Sequence, residues 1–200
     1  INGLKNFSLN KFINLKKIIN INHKLKASDI SFSLGPILNS ASRLGYSSLP
    51  FSLLIEKNNT IIDRISNKLK ILNERRKKIQ NKTFNLLNSN IIEDKMKVIF
   101  KYEENINEGL LGIIAANYVD LYNKPSFILT NSGNLIKCSS RSIHGYDIGR
   151  IFYQAVKKKI IVKGGGHSMA GGCTLKKDNL DLFKKFLNTY YKKKNSSFEN

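Results

Sequence analysis

Apolar residues along this 200-residue chain recur first at helical spacing and later in short alternating runs. In residues 1 to 22, Leu4, Phe7, Leu9, Phe12, Ile13, Leu15, Ile18 and Ile19 follow a helical period without a clear N-terminal cap, as the tail of a preceding unit would. Ala27-Ser-Asp29 opens a second helix with Ser28 or Asp29 at the cap. The following Phe32 to Gly45 segment is predicted to break at Gly35-Pro36 and to stop at Gly45. The strongest pattern spans residues 60 to 88. Thr60-Ile-Ile-Asp63 resembles a capping box, and Ile61, Ile65, Leu69, Leu72, Ile79, Thr83 and Leu86 form one apolar stripe. At about 1.5 Å per residue such a helix is roughly 40 Å long, enough to join two domains. Its other face carries Arg64, Lys68, Lys70, Arg75, Arg76, Lys77 and Lys78, a solvated face or an anion-binding one.

Beyond Asn88-Ser-Asn90 the period changes. Strands are predicted at Lys97 to Lys101, Pro125 to Thr130, Leu135 to Ser140 and Ile160 to Val162, with a further short piece at Cys173 to Leu175. Ser132-Gly-Asn134 makes the second and third a hairpin. Helices are predicted at Gly109 to Tyr122, Asp147 to Lys158 and Asp178 to Lys194, with a frayed basic end from Lys192 onward. The fold class is therefore α/β: a helical connecting segment followed by a small mixed-sheet α/β domain of about 110 residues.

Charge alters the functional picture. The formal net charge is +20, which favours an anionic partner, most simply nucleic acid. Joint over-use of Lys, Asn and Ile also fits an AT-rich coding sequence, so part of the excess belongs to solvated faces. Cys138 and Cys173 have no metal-ligand spacing and suggest a reducing, cytoplasmic compartment. No 18-residue apolar run exists, so no membrane span or membrane partner is expected. The initial Ile1 reads as the start of a piece of a longer protein.

Candidate chemistry lies in anion recognition. Carboxylates are few and scattered. Glu93-Asp94 and Glu103-Glu104 read as solvated surface, and no Asp-x-Asp or Gly-x-Ser-x-Gly occurs. Lys163-Gly-Gly-Gly-His-Ser-Met-Ala-Gly-Gly-Cys-Thr-Leu175 sets five glycines around one histidine. It is either a tight connection with an incidental histidine or an anion cradle in which His167 donates to a phosphate. Ser139-Ser-Arg-Ser142 follows a strand and offers Arg141 between hydroxyls, suited to a bidentate phosphate contact; Arg43 sits in a Gly/Pro-bounded segment.

Five segments in order resemble the RecJ family of single-strand-specific exonucleases, in the DHH phosphoesterase superfamily. Gly35-Pro-Ile-Leu-Asn-Ser-Ala-Ser-Arg-Leu-Gly45 resembles its Gly-Pro-Arg-(Ile/Leu)-Asn-Ala-Ala-Gly-Arg-Leu-Gly motif, and Leu72-Asn-Glu-Arg-Arg-Lys-Lys-Ile-Gln80 its connecting-helix signature. Glu108-Gly-Leu-Leu-Gly-Ile-Ile-Ala-Ala116 is similar to its Gly-Val-Ile-Gly-Ile-Val-Ala segment. Ser139-Ser-Arg-Ser142 and Gly164-Gly-Gly-His-Ser-Met-Ala-Gly-Gly172 are similar to the two motifs of its DHH-associated domain.

The resemblance implies that residues 1–56 end a DHH catalytic domain, 57–90 form the connecting helix and 91–200 form the DHH-associated substrate-binding domain. It implies a part of a 5′-to-3′ single-strand DNA exonuclease of repair and recombination. Manganese or magnesium would be held by an N-terminal DHH domain outside this chain, and an OB-fold would follow it. By itself the chain is expected to lack the metal ligands and nuclease activity. Carried over by position, Arg43, Ser139, Arg141, Ser142, Gly165, Gly166 and His167 would hold substrate phosphate, with His167 positioning it at the catalytic centre. Departures stand at Ile37, where the family has Arg, at Ile106-Asn107, where it has Trp-His, and at Asn117, often Arg. Alternatives are a DHH phosphodiesterase for short oligonucleotides or cyclic dinucleotides, against which the long helix argues, and a non-catalytic nucleic-acid-binding relative.

Overall fold

The computed structural model describes residues 10–18, 20–23, 25–89 and 97–195. The chain divides into two compact units, Ile1–Asn81 and Lys82–Asn200. The strand expected from Lys97 begins at Ile99, with Lys97 in a bend, while Glu93-Asp94, residues 1–9 and the last five lie outside the described residues.

The first unit is helical. Helix α1 is Asn10–Ile18, α2 is Ala27–Asp29, a π-helical turn occupies Ile30–Leu34, α3 is Gly35–Arg43, and α4 is Ser48–Ile55. Two expected boundaries are corrected. The N-cap of α2 is Lys26, whose N–H donates to Asp29 Oδ2 at 2.8 Å, so Asp29 closes the turn from its third position rather than capping it. Gly35-Pro36 does not break the helix. The wide π turn absorbs the proline ring, and Pro36 sits in the first turn of α3 where no N–H is needed. Gly45, at φ +89°, ends that run as expected. Leu15, Leu34, Ile37, Ala41, Leu53, Ile62, Leu69 and Leu72 form the core of this unit.

Helix α5, Asn59–Ser89, starts in the first unit and ends in the second. Its cap is Asn58, whose Oδ1 accepts from the N–H of Thr60 at 2.9 Å and of Ile61 at 3.3 Å, two residues earlier than the Thr60–Asp63 box. Its buried line runs through Ile62, Leu69, Leu72 and Leu87; Ile61 and Leu86, members of the expected stripe, are 39% and 53% exposed and lie off this line.

The second unit is a five-stranded mixed sheet with helices on both faces. Strands β1 (Ile99–Tyr102), β2 (Ser126–Ser132), β3 (Leu135–Arg141), β4 (Lys163–His167) and β5 (Ala170–Lys176) lie in the order β1-β2-β3-β5-β4. Only β1 and β2 are parallel. Helix α6 (Leu111–Tyr122) packs on β2 and β3, α7 (Ile148–Lys157) on β4 and β5, and α8 (Leu180–Asn195) beside α7. Phe127 stands edge-on to Tyr146, Phe152 and Phe183 at the centre of the core. Buried positions Ile148, Ile151, Phe152 and Ala155 recur one helical turn apart, and Asp147 Oδ1 caps α7 by accepting the Arg150 N–H at 2.9 Å. Helix α8 stays regular to Asn195, where a frayed end from Lys192 was expected.

The glycine-rich stretch is the main correction. Ile160 to Val162 is not a strand: Ile160 and Ile161 are buried below a bend, and pairing begins at Lys163. The glycines themselves are strand residues, closed into a hairpin by Ser168 and Met169. They therefore form sheet surface rather than a loop.

Candidate nucleic-acid interface

Strand register decides which side chains meet. Across β3, β5 and β4, three rows are aligned: Arg141–Ala170–His167, Ser139–Gly172–Gly165 and Lys137–Thr174–Lys163. Residues two apart on a strand share a face, so all nine positions look the same way. The intervening residues look the other way, into the core. A Cβ on Gly164 would lie 2.8 Å from Cys173 Cβ, and one on Gly171 2.7 Å from Ile148 and 2.9 Å from Phe152.

Helix α6 covers this face only over β2 and β3. A Cβ on its Gly112 would come within 3.1 Å of Ser139 Oγ and 3.3 Å of an Arg141 Nη, so that helix wall stands directly against both side chains. Over β5 and β4 the described residues of this unit leave the face open. Gly165 has nothing within 4 Å of where its Cβ would be, and Gly172 meets only the Cys138 carbonyl at 3.4 Å. The result is a step: α6 as the wall, a glycine floor, and Ser139 and Arg141 in the corner.

Arg141 is half-buried, and one Nη donates to the Ser140 carbonyl at 2.9 Å, which fixes the guanidinium while leaving further N–H groups to donate. His167 is exposed at the far end of the same row. Its Nδ1 accepts from the Met169 N–H at 3.4 Å, so the neutral ring carries its proton on Nε2 as a donor. Lys137 Nζ donates to Glu108 Oε2 at 2.6 Å, and this contact, then Ser132, holds the Glu108 carboxyl below its ordinary value. Donors thus surround a floor that a phosphodiester can approach closely.

The sequence-predicted residues divide accordingly. Ser139, Arg141, Gly165 and His167 meet at this step. Ser142 does not: it is buried, its hydroxyl donates to the Tyr146 carbonyl and its N–H to the Met169 carbonyl. Gly166 serves the opposite face, where its carbonyl lies 2.9 Å from where a Cβ on Gly149 would sit, letting α7 close onto the hairpin. Arg43 belongs to the first unit. There it ends α3 beside Arg76, and burial and then the Arg43 charge depress the Arg76 guanidinium. Arg76 donates to Asn73 Oδ1 at 2.6 Å and Gln80 Oε1 at 2.8 Å, which ties its guanidinium to its own helix. Lys137, Thr174, Lys163 and Gly112 have no role assigned by the motifs that contain or flank them, and register and packing reveal them; Arg76 stands on the basic face already read from the helix pattern. Of the departures, Ile37 is a core residue, Asn107 caps the Glu108–Leu110 turn through Gly109 N–H at 2.9 Å, and Asn117 is half-buried on α6.

Among the described residues no group of three or more His, Cys, Asp or Glu side chains is placed to hold a metal ion. None of the described helices is long and apolar enough to cross a membrane.

Residues 95–193 match the DHHA1 domain family. The chain is 28% identical over 188 residues to the single-stranded-DNA-specific exonuclease RecJ of Haemophilus influenzae, covering 88% of this chain and 32% of that protein. It is 29% identical over 171 residues to RecJ of Escherichia coli, covering 80% of this chain and 29% of that protein. The chain therefore spans about a third of the length of these curated relatives. The crystal structure of RecJ from Thermus thermophilus in complex with Mn2+ superposes with a TM-score of 0.83 at 22% identity, covering 92% of this chain and 27% of that one; its Mg2+ counterpart gives 0.82. The fold is shared with these structures.

Proposed function

The chain belongs to the RecJ family of DHH phosphoesterases, and on that premise we propose that it is the substrate-holding part of a single-strand-specific 5′-to-3′ DNA exonuclease. The observation that carries this reading is the Arg141–Ala170–His167 row beside the bare Gly165–Gly172 floor. A phosphodiester lying on that floor receives charge-assisted donors from Arg141 and His167 and a hydroxyl from Ser139. Arg43 and Arg76 supply a separate cationic cluster in the first unit.

Residues 1–56 then close a DHH domain, 57–90 are the connecting helix and 91–200 the substrate-binding domain. Hydrolysis needs carboxylates and histidines around Mn2+ or Mg2+, and the described residues do not provide that set. The metals belong to the DHH domain of the whole protein, and an OB-fold extends the DNA contact; the setting is cytoplasmic DNA repair and recombination. This chain alone binds without cutting.

The test is binding of the chain to a fluorescent single-stranded oligonucleotide over a salt series, with Arg141→Ala and His167→Ala beside wild type. Affinity should fall steeply with salt, and each substitution should cost about 1–3 kcal/mol. Equal binding by wild type and both variants would mean that the positive charge acts diffusely and would overturn the proposal. Chelator-sensitive hydrolysis by the purified chain would overturn its non-cutting role.

A further inference from the structure

The bare face continues past the Arg141–His167 row. Four residues along each strand, Lys137 of β3, Thr174 of β5 and Lys163 of β4 stand in register on the same face, with Ser139–Gly172–Gly165 midway between the rows. At about 3.4 Å per residue the outer rows are roughly 14 Å apart. Arg141 cannot serve both, because its guanidinium is tied back to the Ser140 carbonyl and lies against Gly112 of α6. Lys137 is likewise committed to Glu108, the acid beside this row, at 2.6 Å. Lys163 is exposed, and among the described residues it makes no ion pair. None of the nine aligned positions is acidic, and the two glycines leave the middle row level with the backbone.

Resting on the substrate-holding reading, we propose that Lys163, with Thr174 beside it, forms a second phosphate subsite. A polynucleotide backbone then lies lengthwise along β5 and β4 over the glycine floor, with one phosphate at Arg141 and His167 and a later one at Lys163. The preferred ligand of this face is an oligonucleotide rather than a mononucleotide. A long, flexible ammonium suits the outer subsite, since it follows a moving backbone as a point charge, whereas the braced Arg141 fixes the first phosphate.

The experiment titrates the chain and its Lys163→Ala, Lys163→Arg and Arg141→Ala variants with 5′-phosphorylated oligothymidylates of one to five nucleotides, followed by NMR shifts of hairpin amides. Lys163→Ala should bind the mononucleotide like wild type, weaken about 5–10-fold once the ligand spans both rows, and show a log–log salt slope shallower by about 0.7. Lys163→Arg should restore the longer ligands. Equal loss at every length would place Lys163 on the first phosphate and overturn the second subsite, as would no loss at any length. Either result with Arg141→Ala still weak leaves the substrate-holding reading standing. Full binding by Arg141→Ala at all lengths would sink both.

Discussion

Gly165 and Gly166 are neighbours in sequence but face opposite sides of β4, and alanine at each should have opposite consequences. A Cβ on Gly166 would sit 2.3 Å from the Ala170 carbonyl oxygen and 2.5 Å from Gly171 Cα. Unstrained carbon contacts lie near 3.5–4.0 Å, so the methyl intrudes by about 1 Å on two backbone atoms that have no rotamer to escape into. The hairpin must open at its turn, and overpacking of this kind costs about 1–3 kcal/mol, here at the upper end because backbone must move. At Gly165 nothing lies within 4 Å. Alanine there meets no clash and removes unfolded-chain freedom, a gain of about 0.5–1 kcal/mol. Its methyl nevertheless stands on the floor where the phosphodiester is expected.

Urea unfolding followed by circular dichroism separates the two effects. With a slope of about 1–3 kcal/mol per molar urea, Gly166→Ala should lower the midpoint by about 1 M or more, while Gly165→Ala should match or slightly exceed wild type. In the oligonucleotide assay Gly165→Ala should bind more weakly despite its intact fold. If Gly166→Ala unfolds with wild type, or if both alanines destabilise equally, the register that places Gly165, His167, Arg141 and Ser139 on one face is wrong. A Gly165→Ala protein that binds like wild type would clear the floor of any role in holding DNA.

Two further outcomes follow from buried groups. Tyr118 is fully buried, has no partner for its hydroxyl among the described residues and stacks on Tyr122, so Tyr118→Phe should stabilise the fold by about 1 kcal/mol by removing a desolvated polar group; a loss in urea unfolding would contradict this. The buried Cys138 thiol faces Cys173, and burial, reinforced by that neighbour, pushes it well above its ordinary value. The unfolded thiol ionises near 8.5 while the folded one does not, so its contribution is complete below that pH and declines as pH rises toward the folded value, by up to about 1.4 kcal/mol per pH unit. Stability measured from pH 7 to 10 should fall more steeply in wild type than in Cys138→Ala; parallel curves would refute the assignment.

Helix α6, α7, α8 and the Ser132–Asn134 hairpin were legible from periodicity and turn chemistry alone, because each places apolar side chains against one core at its own period. Errors arose where tertiary packing outweighed local preference. Ile160 and Ile161 read as a strand because they are β-branched and apolar, yet they fill the core beneath a bend. Glycine is a poor strand former in isolation, yet on the core face it lets α7 approach the hairpin: Gly171 lies under Ile148 and Phe152, and Gly149 of α7 lies against the Gly166 carbonyl. Gly35-Pro36 read as a break because a sequence does not reveal a π turn.

The candidate site was half legible for the same reason. Arg141 and His167 stood out because an arginine between serines and a histidine among glycines are unusual strings. Lys137 and Lys163 are ordinary lysines in a chain with 34 basic residues, and nothing local distinguishes them from solvated charge. What sets them apart is the antiparallel register that aligns residues 137, 174 and 163 across three strands. The same register separates Ser139 from Ser142, which look alike in the motif. One stands in the corner against Gly112, while the other spends its hydroxyl on the Tyr146 carbonyl. A motif therefore marked the segment, but pleat alternation selected which of its side chains can touch a ligand. The functional alphabet of this face is its set of cross-strand rows, and a substitution is better judged by its row than by its distance from the histidine in sequence.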